Sequence, residues 1–243
     1  MRLDLEDVTA AYGSAVVLRD VSLSVPAGQA VALLGANGAG KTTLLKVVSG
    51  LLRPRTGHVL LDGQDVTAHS SDSRARMGVC HITEGRSVFP HLTVNDNIRL
   101  FTPKGKPAAS VEEALDCFPA LRTCMARPAG SLSGGQQQML ALLRAYLSDA
   151  PLALFDEISM GLAPLVVDQI FEFLDQLRTL GRSLLVVEQY VAKALAIADV
   201  VYILAKGRLV YAGEPAELGD TTQIMDHYFN AEGNRRQPEG ISR

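Results

Sequence analysis

One stretch constrains the chain more than any other. Ala30-Val31-Ala32-Leu33-Leu34 runs apolar without alternation, and Gly35-Ala36-Asn37-Gly38-Ala39-Gly40-Lys41-Thr42 follows at once, ahead of Thr43 and a helical run. An unbroken apolar run of that length suits a strand covered on both faces, as in a parallel sheet between helices. The glycines let the main chain wrap tightly where any Cβ would obstruct it.

Two further runs of the same kind, Leu152-Ala153-Leu154-Phe155 and Ser183-Leu184-Leu185-Val186-Val187, bracket a segment with Leu165, Ile170, Phe173, Leu174 and Leu177 at helical spacing. Strand, helix and strand in that order form the βαβ pattern of an open α/β sheet. Leu3, Leu5 and Val8 predict an initial strand, and Val21, Leu23 and Val25 alternate with Ser22 and Ser24 in a second, half-exposed one. Residues 93–147 hold helical patterns and no strong strand, broken by Thr102-Pro103-Lys104-Gly105-Lys106-Pro107. Thr93 with Asp96 three positions on resembles a capping box with a shorter acid. The segment reads as a helical lobe inserted into a sheet domain. Val200–Leu204 and Arg208–Tyr211 flank Lys206-Gly207 as a hairpin, and from about Ala231 the chain turns polar, a frayed tail. The 243 residues correspond to about one and a half domains, a sheet unit plus a lobe.

Lys and Arg number 23 against 26 Asp and Glu, a formal charge of −3, which equips the chain poorly to hold a nucleic-acid backbone by charge. Cys80, Cys117 and Cys124 cannot all pair and none stands in a C-x-x-C spacing, so buried thiols in a reducing compartment are favoured over a redox or zinc role. The alternating start Met1-Arg2-Leu3-Asp4-Leu5-Glu6 lacks a signal peptide's apolar core. Nowhere do about 18 apolar residues run without a charge. A cytoplasmic protein is expected.

Gly35 to Thr42 fits G-x-x-x-x-G-K-S/T between a buried strand and a helix. Main-chain N–H groups of such a loop face phosphate oxygens, and the positive end of the following helix adds to them. Lys41 would reach the β- and γ-phosphates and Thr42 would ligand Mg²⁺. A plain glycine-rich strand-to-helix turn is the competing reading. Asp156-Glu157 ends an apolar strand, which alone is weak because many strands end in acidic turns. Paired with the glycine loop it becomes specific: Asp156 can hold the Mg²⁺ shell and Glu157 can accept a proton from attacking water.

Leu132-Ser133-Gly134-Gly135-Gln136, standing between those two motifs, resembles the signature of ATP-binding cassette (ABC) ATPases, and the resemblance runs from about Leu3 to Glu217. It implies a P-loop NTPase fold over residues 1–230: a mainly parallel core sheet, an N-terminal antiparallel β region and an inserted helical subdomain of about 93–148, with 231–243 as a flexible tail. From the residues, Ser133 can cap a helix beginning near Gly134 and present N–H groups to an anion, although a capped helix alone explains Ser133 but not two glycines and Gln136. In the family this end faces the γ-phosphate held by the other subunit's loop, so two chains must close head to tail around two ATP molecules. The resemblance implies nucleotide contacts from Tyr12, the whole loop Gly35 to Thr43, and Ser133 to Gln136. Tyr12 would stack on adenine; a buried strand-edge tyrosine is the alternative.

Family members normally have Gln where Thr83-Glu84-Gly85-Arg86 places Glu84, and His where Val187-Glu188-Gln189 places Gln189. Glu84 can still bind metal through oxygen; Gln189 can donate to phosphate but carries no positive charge. Leu162, in the Ser159-Met160-Gly161-Leu162 loop, stands where Asp is common. These departures, with Gln136-Gln137-Gln138-Met139-Leu140 and Gly161-Leu162-Ala163-Pro164, resemble the smaller ATPase of branched-chain amino-acid importers. Ile158 instead of the usual Pro, and a short 101–110 segment, depart even from that group. The resemblance implies transmembrane permease subunits, a second ABC ATPase (a different chain, or a second copy), an indirectly associated solute-binding protein, and a place on the inner face of the cell membrane. Arg86, Phe89 and Pro90-His91-Leu92 lie where the family forms its groove for a permease helix, with Phe89 as plain core the alternative. Urea or amide importers, single-cassette exporters, soluble ABC proteins of nucleic acid or ribosomes, and a regulator without turnover are the competing functions.

Overall fold

The computed structural model describes residues 1–85 and 87–218. Arg86 and the expected tail lie outside them. The strands in chain order are β1 (Leu3–Tyr12), β2 (Ala15–Val25), β3 (Ala30–Leu34), β4 (Thr56–Leu61), β5 (Gln64–Asp65), β6 (Val79–Ile82), β7 (Leu152–Asp156), β8 (Ser183–Val187), β9 (Val200–Ala205) and β10 (Arg208–Gly213). The helices are α1 (Lys41–Val48), α2 (Ser71–Arg76), α3 (Val94–Phe101), α4 (Ala108–Cys117), α5 (Gly134–Leu147), α6 (Pro164–Thr179) and α7 (Val191–Ile197).

The larger sheet has the order β10-β9-β3-β8-β7-β6, parallel throughout except for the β9–β10 hairpin. Every residue of β3, β7 and β8 is buried, as their unbroken apolar runs require. Their alternation with period two divides the core. Ala30, Ala32, Leu34, Ala153, Phe155, Leu184 and Val186 face a layer that holds α5, α6 and α7. Val31, Leu33, Leu152, Leu154, Leu185 and Val187 face α1 and the second sheet. That second sheet, β2-β1-β4-β5, is antiparallel. The expected α/β class with a mainly parallel core sheet and an antiparallel N-terminal region is what the chain adopts.

Between β6 and β7 the described elements are helical, α3, α4 and α5 with two short 3₁₀ turns. Phe101, Leu115, Leu121 and Leu140–Leu143 join the same buried cluster as Phe155 and Val186, so these helices share one core with the sheet. Thr93 does cap α3, its Oγ1 accepting from the Asp96 N–H at 3.0 Å. The short acid reaches the Thr93 hydroxyl at 2.6 Å rather than the main chain. The β9–β10 turn carries positive φ at both Lys206 (50°) and Gly207 (79°), the twist a two-residue hairpin needs.

β4, β5 and β6 lie outside the strands that the sequence pattern predicts. β4 buries only Val59 and Leu61 and carries Gly57 and His58, and β6 is four residues long with His81 in it. β2 begins at Ala15, well before the alternating Val21–Val25, because irregularities in its pairing with β1 break the period.

Candidate active site

β3, β8 and β7 are neighbours in the parallel sheet, so their carboxyl ends open on one edge, where an α/β sheet binds ligands. Each delivers one part of the site: the glycine loop after β3, Asp156 and Glu157 at the end of β7, and Glu188-Gln189 after β8. Gly35 has a φ of 157°, and a Cβ there would lie 2.3 Å from the Leu204 carbonyl oxygen of β9, so no larger residue fits that wrap.

Lys41 is only 4% exposed. Its Nζ donates to the carbonyls of Gly35 (2.8 Å) and Ala36 (3.1 Å) and stands 3.5 Å from Glu157 Oε1. The Thr42 hydroxyl donates to Asp156 Oδ1 at 3.1 Å. Burial pushes the Asp156 carboxyl up to about 6; the charges of Glu157 and Glu84 push the same way, and Thr42 and Lys41 oppose them. Glu84, in the turn after β6, therefore stands within electrostatic reach of Asp156. Gln189 Nε2 donates to Glu157 Oε2 at 2.9 Å. A cavity of about 300 Å³ is lined by Val17, Asn37, Gly38, Gly40, Lys41, Thr42, Thr43 and Glu157.

Tyr12 is exposed rather than buried at its strand edge, and Lys46 of α1 stands 5.9 Å from its ring centroid. Its ring therefore flanks the helix that the glycine loop opens. The signature segment is placed differently. Ser133 caps α5: its Oγ accepts from the Gln136 N–H (3.3 Å), and its own N–H donates to Gln136 Oε1 (3.1 Å). Gly135 packs on Val166 of α6. Ser133, Gly134, Gly135 and Gln136 are not among the residues lining the cavity beside Lys41, and the Gln136 side chain is held by its own helix end. Neither Val17 nor Glu188 stands out in the sequence, one an ordinary strand residue and the other a lone acid.

A strand, a glycine loop and a helix that bring lysine and threonine against two carboxylates on a mostly parallel sheet make a P-loop nucleotide-binding protein. The chain belongs to the ABC transporter family, whose model matches residues 18–159. It is similar to the high-affinity branched-chain amino acid transport ATP-binding protein BraG of Pseudomonas aeruginosa, 39% identical over 93% of this chain and 99% of that one. It is also 34% identical, over 93% of its length and 96% of the relative's, to the lipopolysaccharide export system ATP-binding protein LptB of Acidithiobacillus ferridurans. The solved ATP-binding subunit of an ABC transporter superposes with a TM-score of 0.80 at 27% identity, over 95% of this chain and 97% of that one. The chain is thus a nucleotide-binding ABC ATPase, the ATP-hydrolysing subunit of a transporter. No helix among the described residues is long and apolar enough to cross a membrane.

Proposed function

We propose that this ATPase powers import of branched-chain amino acids or close relatives from the inner face of the cell membrane. The observation that carries the solute class is the 39% identity to a branched-chain amino-acid transport ATPase across 99% of its length. Permease subunits supply the path through the membrane, and a second ABC ATPase completes the motor. A solute-binding protein acts on the permeases and not on this chain.

Within the motor, the N–H groups of Gly35–Thr43 hold the ATP phosphates, and the Lys41 ammonium pairs with their β- and γ-oxygens. Tyr12 stacks on the adenine face. Thr42 and Asp156 present oxygen only, 3.1 Å apart, and the buried carboxylate is short of positive charge, so they fit a hard divalent ion. Those two residues would hold Mg²⁺, with Glu84 adding an oxygen; bound there, the ion neutralises phosphate charge. Glu157 accepts the proton of the attacking water. Gln189 steadies Glu157 through its amide and can donate the same amide to a γ-phosphate oxygen. Ser133, Gly134, Gly135 and Gln136 serve the nucleotide of the opposite subunit, which accords with their standing apart from this chain's own cavity.

The test is uptake by vesicles holding this chain, its permeases and its partner ATPase, with Glu157→Gln as the inactive control. ATP-driven accumulation of leucine, isoleucine and valine supports the reading. Urea or amide transport without leucine uptake overturns the solute class. Outward transport overturns import, the outcome that the likeness to an export ATPase makes worth measuring.

A further inference from the structure

Glu188 is a charged group that the scheme above does not use, and it is only 3% exposed. A carboxylate is costly to bury without donors. Here it has three. Oε1 accepts the Ser159 N–H at 3.0 Å, and Oε2 accepts the Ser159 hydroxyl at 2.5 Å and the Gln189 N–H at 3.1 Å. Ser159 is fully buried and starts the loop that runs to Leu162. Gln189 in turn donates to Glu157, whose own N–H is bound to the Val187 carbonyl at 2.9 Å. Glu157, Ser159, Glu188 and Gln189 therefore form a closed ring of main chain and hydrogen bonds. Glu157 also sits at a φ of 47°, a left-handed conformation that costs a non-glycine residue about 1 kcal/mol or more and persists only where its surroundings hold it.

We propose that Glu188 is a positioning residue: its buried carboxylate ties the Ser159–Leu162 loop to the Gln189 main chain, and so sets how the Gln189 amide and the Glu157 carboxylate stand for hydrolysis. This rests on the roles given to Glu157 and Gln189 above. Burial raises the Glu188 carboxyl and the nearby Glu157 charge adds to it, while the Ser159 and Gln189 donors draw it back.

The test measures ATPase kinetics and melting temperature in the complex assembled with permease and partner ATPase. Glu188→Ala is expected to lower kcat roughly 30- to 100-fold, with KM for ATP within about threefold, since small misplacements at a reacting centre cost that much. Glu188→Gln can still accept from the Ser159 N–H and donate to its hydroxyl, but its amide opposes the Gln189 N–H. It should recover most of the loss, to within about fivefold of wild type, and it keeps the test open if Glu188→Ala does not fold. Added to Gln189→Ala, Glu188→Gln should cost far less than it does alone.

Wild-type kcat in both Glu188 variants overturns the inference. So does a joint fall of kcat, ATP affinity and melting temperature in Glu188→Gln, or a full multiplicative effect on Gln189→Ala. A Glu157→Gln control that still turns over normally removes the hydrolysis scheme itself. Loss in that control beside unaffected Glu188 variants removes this inference alone.

Discussion

Lys41 is a nearly buried ammonium held by two main-chain carbonyls and a carboxylate at 3.5 Å. It lies in the wall of the cavity that the glycine loop and Glu157 line. Lys41→Ala is expected to weaken ATP binding about 100-fold or more, while Glu157→Gln keeps affinity within about threefold and lowers turnover by roughly 100-fold or more. Equilibrium binding beside phosphate release separates the two. If both variants lost binding equally, the division between phosphate holding and water activation would fail. His81 carries a different consequence. Its ring nitrogens are buried and have no hydrogen-bond partner among the described residues. Burial first, then the charges of Arg144 and Lys46, pull its pKa from 6.5 to about 4. The unfolded chain then takes the proton more readily than the folded one. The His81 contribution to stability is full above pH 6.5 and declines as pH falls toward 4, by about 2 kcal/mol at pH 5, while the raised Asp156 carboxyl acts in the opposite sense below pH 6. His81→Asn should make the change in melting temperature from pH 7 to pH 5 less unfavourable than in wild type. A slope unchanged from wild type would place that titration elsewhere.

At the scale of elements, α1 is eight residues long, too short to be stable alone, yet it opens directly from the glycine loop, with Gly40 at its N-cap. Its far end is tied down by Arg74 of α2. That guanidinium is 1% exposed and donates to the carbonyls of Val47 (2.7 Å) and Val48 (2.8 Å) in α1, and of Thr67 (3.1 Å). A cation there also complements the negative end of the helix. Arg74→Met leaves three carbonyls without that donor, so a loss of about 3 kcal/mol is expected in denaturant unfolding. Ser133→Ala, removing one exposed cap, should cost only about 1 kcal/mol. Arg74 also shows why some elements are visible in a sequence and others are not. β3, β7 and β8 are apolar on both faces, so composition alone announces them, and the glycine loop names its own chemistry. The cap at Ser133 was equally legible, since it is local. Arg74 and Glu188 act through partners 26 and 29 residues away along the chain, and no spacing marks them. β4 and β6 escape for a related reason, because neighbouring strands and not their own period decide their burial.

For the whole molecule, the glycine loop and the Ser133–Gln136 turn stand apart. The cavity beside Lys41 is lined by the glycine loop, Val17 and Glu157 and by nothing from the 133–136 segment, which resembles the ABC signature and opens α5. That turn bears the N–H groups of Gly134 and Gly135 at the positive end of a 14-residue helix, a place where an anion is favoured. A second cassette, head to tail, would bring a γ-phosphate to it. Ser133→Arg tests this with little disturbance of its own chain's pocket. The variant removes the serine cap and sets a long cation on the face that an opposite subunit would occupy. ATP affinity is expected to stay within about threefold, because Lys41 and its loop are untouched, and the melting temperature should fall only by the cap's share. ATP hydrolysis by the assembled complex should nevertheless drop at least tenfold, since positioned donors to developing phosphate charge contribute on that scale or more. Adding wild-type chain to the Ser133→Arg complex should restore turnover only as wild-type subunits replace the variant. Normal hydrolysis by Ser133→Arg would mean that each chain completes its own site and that the signature turn is a structural cap alone.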